Sequence, residues 1–246
     1  MSIPRFYCPS LTDNILNAEE SHHALSVLRL KEGDSLSLFD GRGTEAKACV
    51  VQSGRAALHF KIITQSRNPP QKFHLILGQA IPKGKSMDFI IQKSTELGVA
   101  TIAPILSDRS VVQLDGDRNE SKQQKWSQTA LEACKQCGQN FLPQIGPARK
   151  LVDFLEHYRK SPALKLIASL QPGAKLLRST LAAAKLNGAD TGEVIYLIGP
   201  EGDFTPAEIG LALSAGYLPV SLGPNILRTE TATLFLTSTL LYEFQS

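Results

Sequence analysis

The sequence predicts an α/β protein whose larger part is a mostly parallel sheet, preceded by a small, β-rich N-terminal module. Three observations lead there. From residue 73 onward, short apolar runs rich in β-branched residues alternate with helix-patterned segments, the signature of β-α-β units. Between residues 34 and 63 the strand-like runs are short and separated by glycines, as in a small antiparallel barrel. Between the two stands Asn68-Pro69-Pro70, which reads as a linker because proline has no N–H to give a sheet.

The totals bound the reading. With 246 residues and 42% hydrophobic residues, the chain can bury a substantial core in one or two domains. No apolar run approaches about eighteen residues, so no transmembrane helix is expected. The opening MSIPRFYCPS has no apolar core segment and is not expected to be a signal peptide. Four cysteines do not make a disulfide framework, and a reducing cytoplasm is the simplest setting. The net charge of +3 is only a weak pointer to a polyanionic partner.

In the N-terminal module, Ser35–Phe39, Ala46–Val51 and Leu58–Ile63 read as strands, with turns at Gly33, Gly41, Gly43 and Gly54. His22–Leu30 reads as the one helix, with Ala24, Leu25, Val27 and Leu28 on its apolar face. Residues 1–72 hold nine Lys/Arg against seven Asp/Glu. A small basic barrel can hold RNA through phosphate and shape contacts, and scattered charges on a solvated face fit the same numbers. His22 and His23 are adjacent and have no Cys or acidic partner at ligand spacing, so a surface or capping role is expected rather than a metal site.

The middle of the chain opens with the strand Phe73–Gln79, the Lys83-Gly84-Lys85 loop and the helix Met87–Leu97, whose Met87, Ile90, Ile91 and Ser94 share one face. Gly98 stops it and Thr101–Leu106 is the next strand. The lysine loop lacks the GxxxxGK[ST] frame, which argues against a nucleoside-triphosphate site but leaves Lys83 and Lys85 available to RNA phosphates. In Asp108-Arg109-Ser110, Arg109 can either contact substrate or form a surface ion pair. Asp115–Ser121 reads as a polar loop and Lys122–Gln136 as a helix with Trp126, Thr129, Ala130 and Ala133 inward. Cys134-Lys135-Gln136-Cys137 has CxxC spacing, but no second pair for zinc and the wrong helix end for redox chemistry. Leu164–Leu170 and Ala174–Leu186 follow as strand and helix.

The last fifty residues carry the chemistry. Val194–Ile198 is a buried-type strand that runs into Gly199-Pro200-Glu201-Gly202-Asp203-Phe204. Thr205-Pro206-Ala207-Glu208 then combines an N-cap, a first-turn proline and the reciprocal residue of a capping box, and Gly216 suits the stop. Leu218–Leu222 is a second strand, broken by Gly223-Pro224-Asn225. Leu227-Arg228-Thr229-Glu230-Thr231-Ala232 leads into a final apolar helix ending at Phe244. Two strands ending in Gly-Pro loops that enter helices point to a ligand site at the carboxyl edge of a sheet, where loop amides and helix N-termini converge.

Gly199–Phe204, followed by Leu222-Gly223-Pro224-Asn225-Ile226-Leu227-Arg228-Thr229-Glu230-Thr231-Ala232, resembles the RsmE family. These are SPOUT-superfamily RNA methyltransferases acting on N3 of a uridine in the 16S ribosomal RNA of the small subunit. Pro4-Arg5-Phe6-Tyr7, His23 with Val27-Leu28-Arg29, Gly33-Asp34 and Asp40-Gly41-Arg42-Gly43 resemble that family's PUA-like RNA-binding domain. Pro82-Lys83-Gly84-Lys85 and Gln92–Gly98 resemble motifs at the entrance of its catalytic domain.

The resemblance implies a PUA-like barrel over residues 1–72 and a SPOUT α/β domain with a trefoil knot over 73–246. It implies a cytoplasmic homodimer, S-adenosyl-L-methionine as methyl donor, no metal, and small-subunit RNA as substrate, in the assembled subunit. By resemblance the donor pocket falls on Leu170, Ile198, Gly199, Glu201, Gly202, Leu222, Gly223, Leu227, Arg228, Thr231 and Ala232. Arg5, Arg29, Arg42, Lys83, Lys85 and Arg109 are the RNA-contact candidates.

The imide proton of uracil N3 must leave before methyl transfer, and negative charge grows on O2 or O4. Arg228 is the candidate to stabilise that charge, and Glu201 or Glu230 to take the proton. Capping near a helix N-terminus accounts equally well for Glu230. Two alternatives stand beside this reading. One is a related SPOUT enzyme acting on another atom, such as a ribose 2′-OH. The other is a non-catalytic RNA-binding assembly factor.

Overall fold

The computed structural model describes residues 3–53, 57–69, 71–110, 116–186 and 192–244, and Gly54 therefore lies outside the described residues. The chain divides into two compact units, residues 1–70 with 131–142 and residues 71–130 with 143–246. The segment Leu131–Leu142, read from sequence as part of the larger domain, thus belongs with the first unit.

In the first unit, β1 (Arg5–Tyr7), β2 (Ser35–Phe39), β3 (Thr44–Ser53) and β4 (Leu58–Arg67) form a four-stranded sheet in that order. β1 runs parallel to β2, a pairing not anticipated from sequence, and the other pairs are antiparallel. Leu36 and Leu38, then Ala46, Ala48 and Val50, occupy alternate positions and bury one face of the sheet against Phe6, Leu16, Leu58 and Phe60.

Helix α1 (Ala18–His22) begins earlier than the expected His22, because the Asn17 side chain caps it by accepting the Glu20 amide at 2.8 Å. His23–Val27 continues as a wider π-type turn. Of the anticipated apolar face, Ala24 is buried, whereas Val27 and Leu28 are exposed.

In the second unit eight strands form one sheet, and every pairing in it is parallel. They are β5 (His74–Ala80), β6 (Thr101–Leu106), β7 (Gln144–Ile145), β8 (Arg149–Lys150), β9 (Leu164–Ala168), β10 (Lys175–Leu176), β11 (Glu193–Ile198) and β12 (Leu218–Ser221). The order is β10-β12-β9-β11-β5-β6-β7, with β8 also on β6. Burial on both faces explains why β5, β9 and β11 read as near-continuous apolar runs.

The helices are α2 (Ser86–Glu96), α3 (Gly116–Cys137), α4 (Leu151–His157), α5 (Leu177–Leu186), α6 (Pro206–Ser214) and α7 (Thr229–Phe244). Ile76, Ala80, Ile195 and Leu197 on one sheet face pack with Leu151, Phe154 and Leu155 of α4 and Ile209 and Ala212 of α6. Tyr196, pointing the other way, meets α7 through a 2.7 Å hydrogen bond between its hydroxyl and that of Thr237.

Two local expectations are corrected. The polar stretch 116–121 is the start of α3 rather than a loop, while Asp115 lies outside the described residues. Asn119 and Gln123 tie this polar helix down: Asn119 both donates to and accepts from the Ala148 backbone, and Gln123 donates to the Ile145 carbonyl. Lys175–Leu176, read as helical, is a strand because its backbone pairs with Val220 and Ser221; the helix starts at Leu177. Within α3, Trp126, Ala130 and Ala133 are buried, but Thr129 is not and returns its hydroxyl to the Lys125 carbonyl.

Candidate active site

β12, β9 and β11 are neighbours in the sheet, and their carboxyl ends come level: Val220 pairs with Ala168, and Leu197 with Ile167. Three loops therefore leave the same edge side by side, and the N-terminus of α7 joins them. Together they line one cleft, formed by Ala168, Ser169 and Leu170 after β9, Ile198, Gly199, Pro200, Glu201 and Asp203 after β11, Ser221, Leu222, Gly223, Asn225, Ile226 and Leu227 after β12, and Thr229 and Ala232 of α7.

The loops are braced by their own residues. Asp203 adopts φ of 60°, the left-handed region. Its carboxylate accepts the Leu170 amide at 3.0 Å and the Phe204 amide at 2.8 Å, joining the β9 and β11 loops. A Cβ on Gly199 would sit 3.0 Å from the Phe204 nitrogen, so a side chain here would force the turn to shift by a few tenths of an ångström. After it, Thr205 and Glu208 form the anticipated capping box. Glu208 also accepts the Asp108 amide at 2.9 Å, Glu201 the Lys83 amide at 2.9 Å, and the Gly202 carbonyl the Arg109 guanidinium.

Behind the cleft a buried polar ladder fixes α7. The Thr229 hydroxyl donates to the Gly199 carbonyl at 2.8 Å and accepts from Gln79 at 3.0 Å. The Thr233 hydroxyl lies 2.6 Å from the other end of the Gln79 amide. All three residues are buried.

Of the residues anticipated for the pocket, Leu170, Ile198, Gly199, Glu201, Leu222, Gly223, Leu227 and Ala232 line the cleft. Gly202, Arg228 and Thr231 do not. Gly202 faces Arg109, and Thr231 lines a different groove together with Glu230. Arg228 stands in the chain between the lining residues Leu227 and Thr229. It is exposed, and its guanidinium has no partner among the described residues. Asp203, Thr229 and Ser169 were missed. Nothing local marks Ser169, whereas Asp203 and Thr229 sit inside the Gly-Pro-Glu-Gly-Asp loop and the Leu-Arg-Thr-Glu-Thr-Ala stretch that were recognised.

The lining is largely apolar, and its ionisable groups are two carboxylates, Glu201 and Asp203, with no Lys or Arg among them. Among the described residues, no three His, Cys, Asp or Glu side chains are grouped so as to hold a metal ion.

The RNA-contact candidates separate into two sorts. Lys83, Lys85 and Arg29 are exposed, and Arg42 is exposed while donating to the Pro9 carbonyl at 2.7 Å. Arg5, anticipated as an RNA contact, is turned inward. Its guanidinium stacks 4.4 Å from the Phe39 ring centroid and donates to the Gln139 carbonyl at 3.1 Å and to the Asn140 side chain. Arg109 is engaged by Gly202 rather than by a surface acid.

A cleft at the carboxyl edge of a parallel sheet, in a chain that also carries a separate small β unit, defines a two-part α/β protein, and the family matches give its class as RNA methyltransferase. The RNA methyltransferase domain family matches residues 69–241, and the RNA methyltransferase PUA domain family matches residues 16–63. Ribosomal RNA small subunit methyltransferase E of Bacillus subtilis is 31% identical over 233 residues, covering 93% of this chain and 89% of that protein. The protein of that name from Neisseria gonorrhoeae, solved bound to S-adenosyl methionine, superposes with a TM-score of 0.84 at 31% identity over 98% of both chains. A Legionella pneumophila methyltransferase solved with bound SAM gives 0.85 at the same identity and coverage. The chain belongs to the ribosomal RNA small subunit methyltransferase E family.

Proposed function

We propose that this chain is an S-adenosylmethionine-dependent methyltransferase that modifies N3 of a uridine in 16S ribosomal RNA, in the assembled small subunit of the cytoplasm. The observation that carries the reading is the convergence of three adjacent strand-end loops and the α7 N-terminus on one cleft, together with the relatives solved with this cofactor.

The residues present fit the donor. The cleft is apolar enough for an adenine ring, and its two carboxylates with no lining cation favour a positively charged, phosphate-free ligand over a phosphorylated one. Leu170, Ile198, Leu222 and Leu227 supply apolar walls. Bound there, the donor supplies an electrophilic methyl group on sulfur. Arg228, exposed between Leu227 and Thr229 of the lining, is positioned to stabilise the charge that grows on the uracil oxygens as N3 loses its proton. Glu201 and Glu230 are the candidate proton acceptors. Glu201 already accepts the Lys83 amide through one oxygen, which leaves its second oxygen for the proton.

A second groove supports a homodimer. Phe89 of α2 and Leu234, Phe235 and Tyr242 of α7 line a cavity of about 910 Å³, and Phe89, Phe235 and Tyr242 are exposed. An apolar patch of this kind marks an interaction surface. Because Glu230 and Thr231 lie in it, a partner copy seated there would stand next to the methyl-transfer site. The proposal includes a trefoil knot in the 73–246 domain, supported by the family resemblance, and an RNA-binding role for residues 1–72, supported by the PUA match.

The test is methyl transfer from labelled donor to small subunits purified from cells lacking this gene, followed by nucleoside mass spectrometry. 3-Methyluridine is the expected product. Another methylated nucleoside would overturn the target atom, and no product with donor binding intact would overturn the enzyme assignment. Arg228→Ala is expected to lower kcat by roughly 10²-fold or more while leaving the donor Kd within about threefold. Equal loss of both would refute its catalytic role.

A further inference from the structure

The sheet of the second unit carries another cavity, of about 440 Å³, at its opposite edge. Its floor is Thr101 and Ala103 of β6. Its walls are Gln144 of β7, Arg149 of β8, and His157 and Tyr158 at the end of α4. The edge strands here are only two residues long, and Gly146-Pro147 between them opens the sheet margin. Two strand intervals, each about 4.8 Å, separate β6 from β11, the nearest strand of the donor cleft, so the two sites are roughly 10 Å or more apart across the sheet.

The lining mixes polar and apolar groups. Ala103, Ile145 and Pro147 are apolar, and no carboxylate lines the space. Arg149, Gln144, Tyr158 and Thr101 are donors, and His157 is an exposed aromatic. Among the described residues, none of these five side chains has a hydrogen-bond or ion-pair partner. His157 packs edge-on to Tyr158 with ring centroids 4.6 Å apart, which holds the imidazole beside the cavity. Burial pushes the Tyr158 phenol up, the nearby Arg149 partly offsets that and the Glu193 carboxylate adds to it, so the phenol remains a donor at neutral pH. A size within the range of small-ligand sites, one guanidinium for an anion, an aromatic surface and several donors match a nucleotide with its phosphate.

We propose that this cavity is a second RNA-binding site that seats a nucleotide of the substrate RNA away from the methylated base, with Arg149 on its phosphate and His157 against its base. The proposal rests on the reading of this chain as an RNA methyltransferase. It gives the catalytic domain its own grip on RNA, separate from the PUA-like module.

The experiment measures binding of a fluorescein-labelled single-stranded oligonucleotide covering the methylated position, and of unmethylated small subunits, to the full chain and its variants. Arg149→Ala is expected to weaken RNA binding about tenfold and to reduce the salt dependence by about one counterion. Lys150→Ala removes the same charge from the neighbouring β8 position, which points to the other face, and is expected to change affinity less than about twofold. His157→Ala, at an exposed position, is expected to weaken binding by roughly threefold to fivefold without affecting folding. Donor affinity and the kcat at saturating RNA are expected to be unchanged in all three.

Unchanged RNA affinity in Arg149→Ala and His157→Ala would overturn the site, as would equal losses in Arg149→Ala and Lys150→Ala. Loss of affinity for small subunits but not for the oligonucleotide would also overturn it, assigning the cavity to a ribosomal protein instead. Absence of RNA binding by the wild-type chain would refute the RNA methyltransferase reading itself, an outcome distinct from the others.

Discussion

At the scale of single residues, the cleft depends on a few positions that tolerate little. Asp203 takes the left-handed conformation in this loop, and a Cβ at Gly199 would crowd the Phe204 nitrogen and the Asp203 carboxylate. Gly199→Ala is expected to cost about 1–3 kcal/mol and to weaken donor binding, which denaturant unfolding and calorimetry would measure. In the first unit, Asp40 accepts the Arg42 amide at 2.7 Å and the Thr44 amide at 2.9 Å. Burial raises its pKa, but these bonds outweigh burial and hold the carboxyl below its ordinary 3.8. A lowered folded pKa means stability that is present above the ordinary value and lost as pH falls through the folded one. Asp40→Asn is therefore expected to destabilise the protein at pH 7, with the gap to wild type closing below pH 3.8. Unfolding curves at both pH values would show it. Among the cysteines, burial pushes the Cys134 thiol up to about 12, whereas Cys137 is exposed. In the native state a thiol reagent at pH 8 is expected to label Cys137 fast and Cys134 only on unfolding, consistent with the CxxC spacing being incidental.

At the scale of elements, α7 is held by threonines one turn apart, Thr229, Thr233 and Thr237, facing Gln79 and Tyr196. Thr233→Val would strand a buried amide oxygen, and a loss of about 1–3 kcal/mol is expected, with Thr233→Ser recovering most of it in thermal unfolding. This ladder shows where sequence reading stops. The capping box of α6 was legible because Thr205, Pro206 and Glu208 lie within four residues of each other. The second role of Glu208, receiving an amide from residue 108, was not, because no local pattern announces a partner a hundred residues away. Arg5 was misjudged for the same reason: as a lone basic residue near the N-terminus it looked like an RNA contact, and its partners Gln139 and Asn140 lie far along the chain. The polar start of α3 was misread because its helix is anchored through Asn119 and Gln123 rather than through an apolar stripe.

At the scale of the whole molecule, the alternation of strands and helices was enough to predict a parallel sheet, and the two Gly-Pro loops pointed to the edge where the cleft lies. The strand order was beyond reach, because pairing β5 with β11 and β12 with β9 depends on packing between segments far apart in sequence. If the exposed apolar side chains of α2 and α7 meet a second copy, Phe235→Asp is expected to shift the protein to a monomer in sedimentation and to lower activity with it. The strand order also bears on how the chain is made. β5 acquires β6 on one side soon after it emerges from the ribosome, but its other neighbour, β11, is translated about 120 residues later. At roughly 5–20 residues per second, Leu75, Ile76 and Leu77 wait on the order of ten seconds with one edge open. The nascent chain, rather than the finished enzyme, is the form most in need of a chaperone.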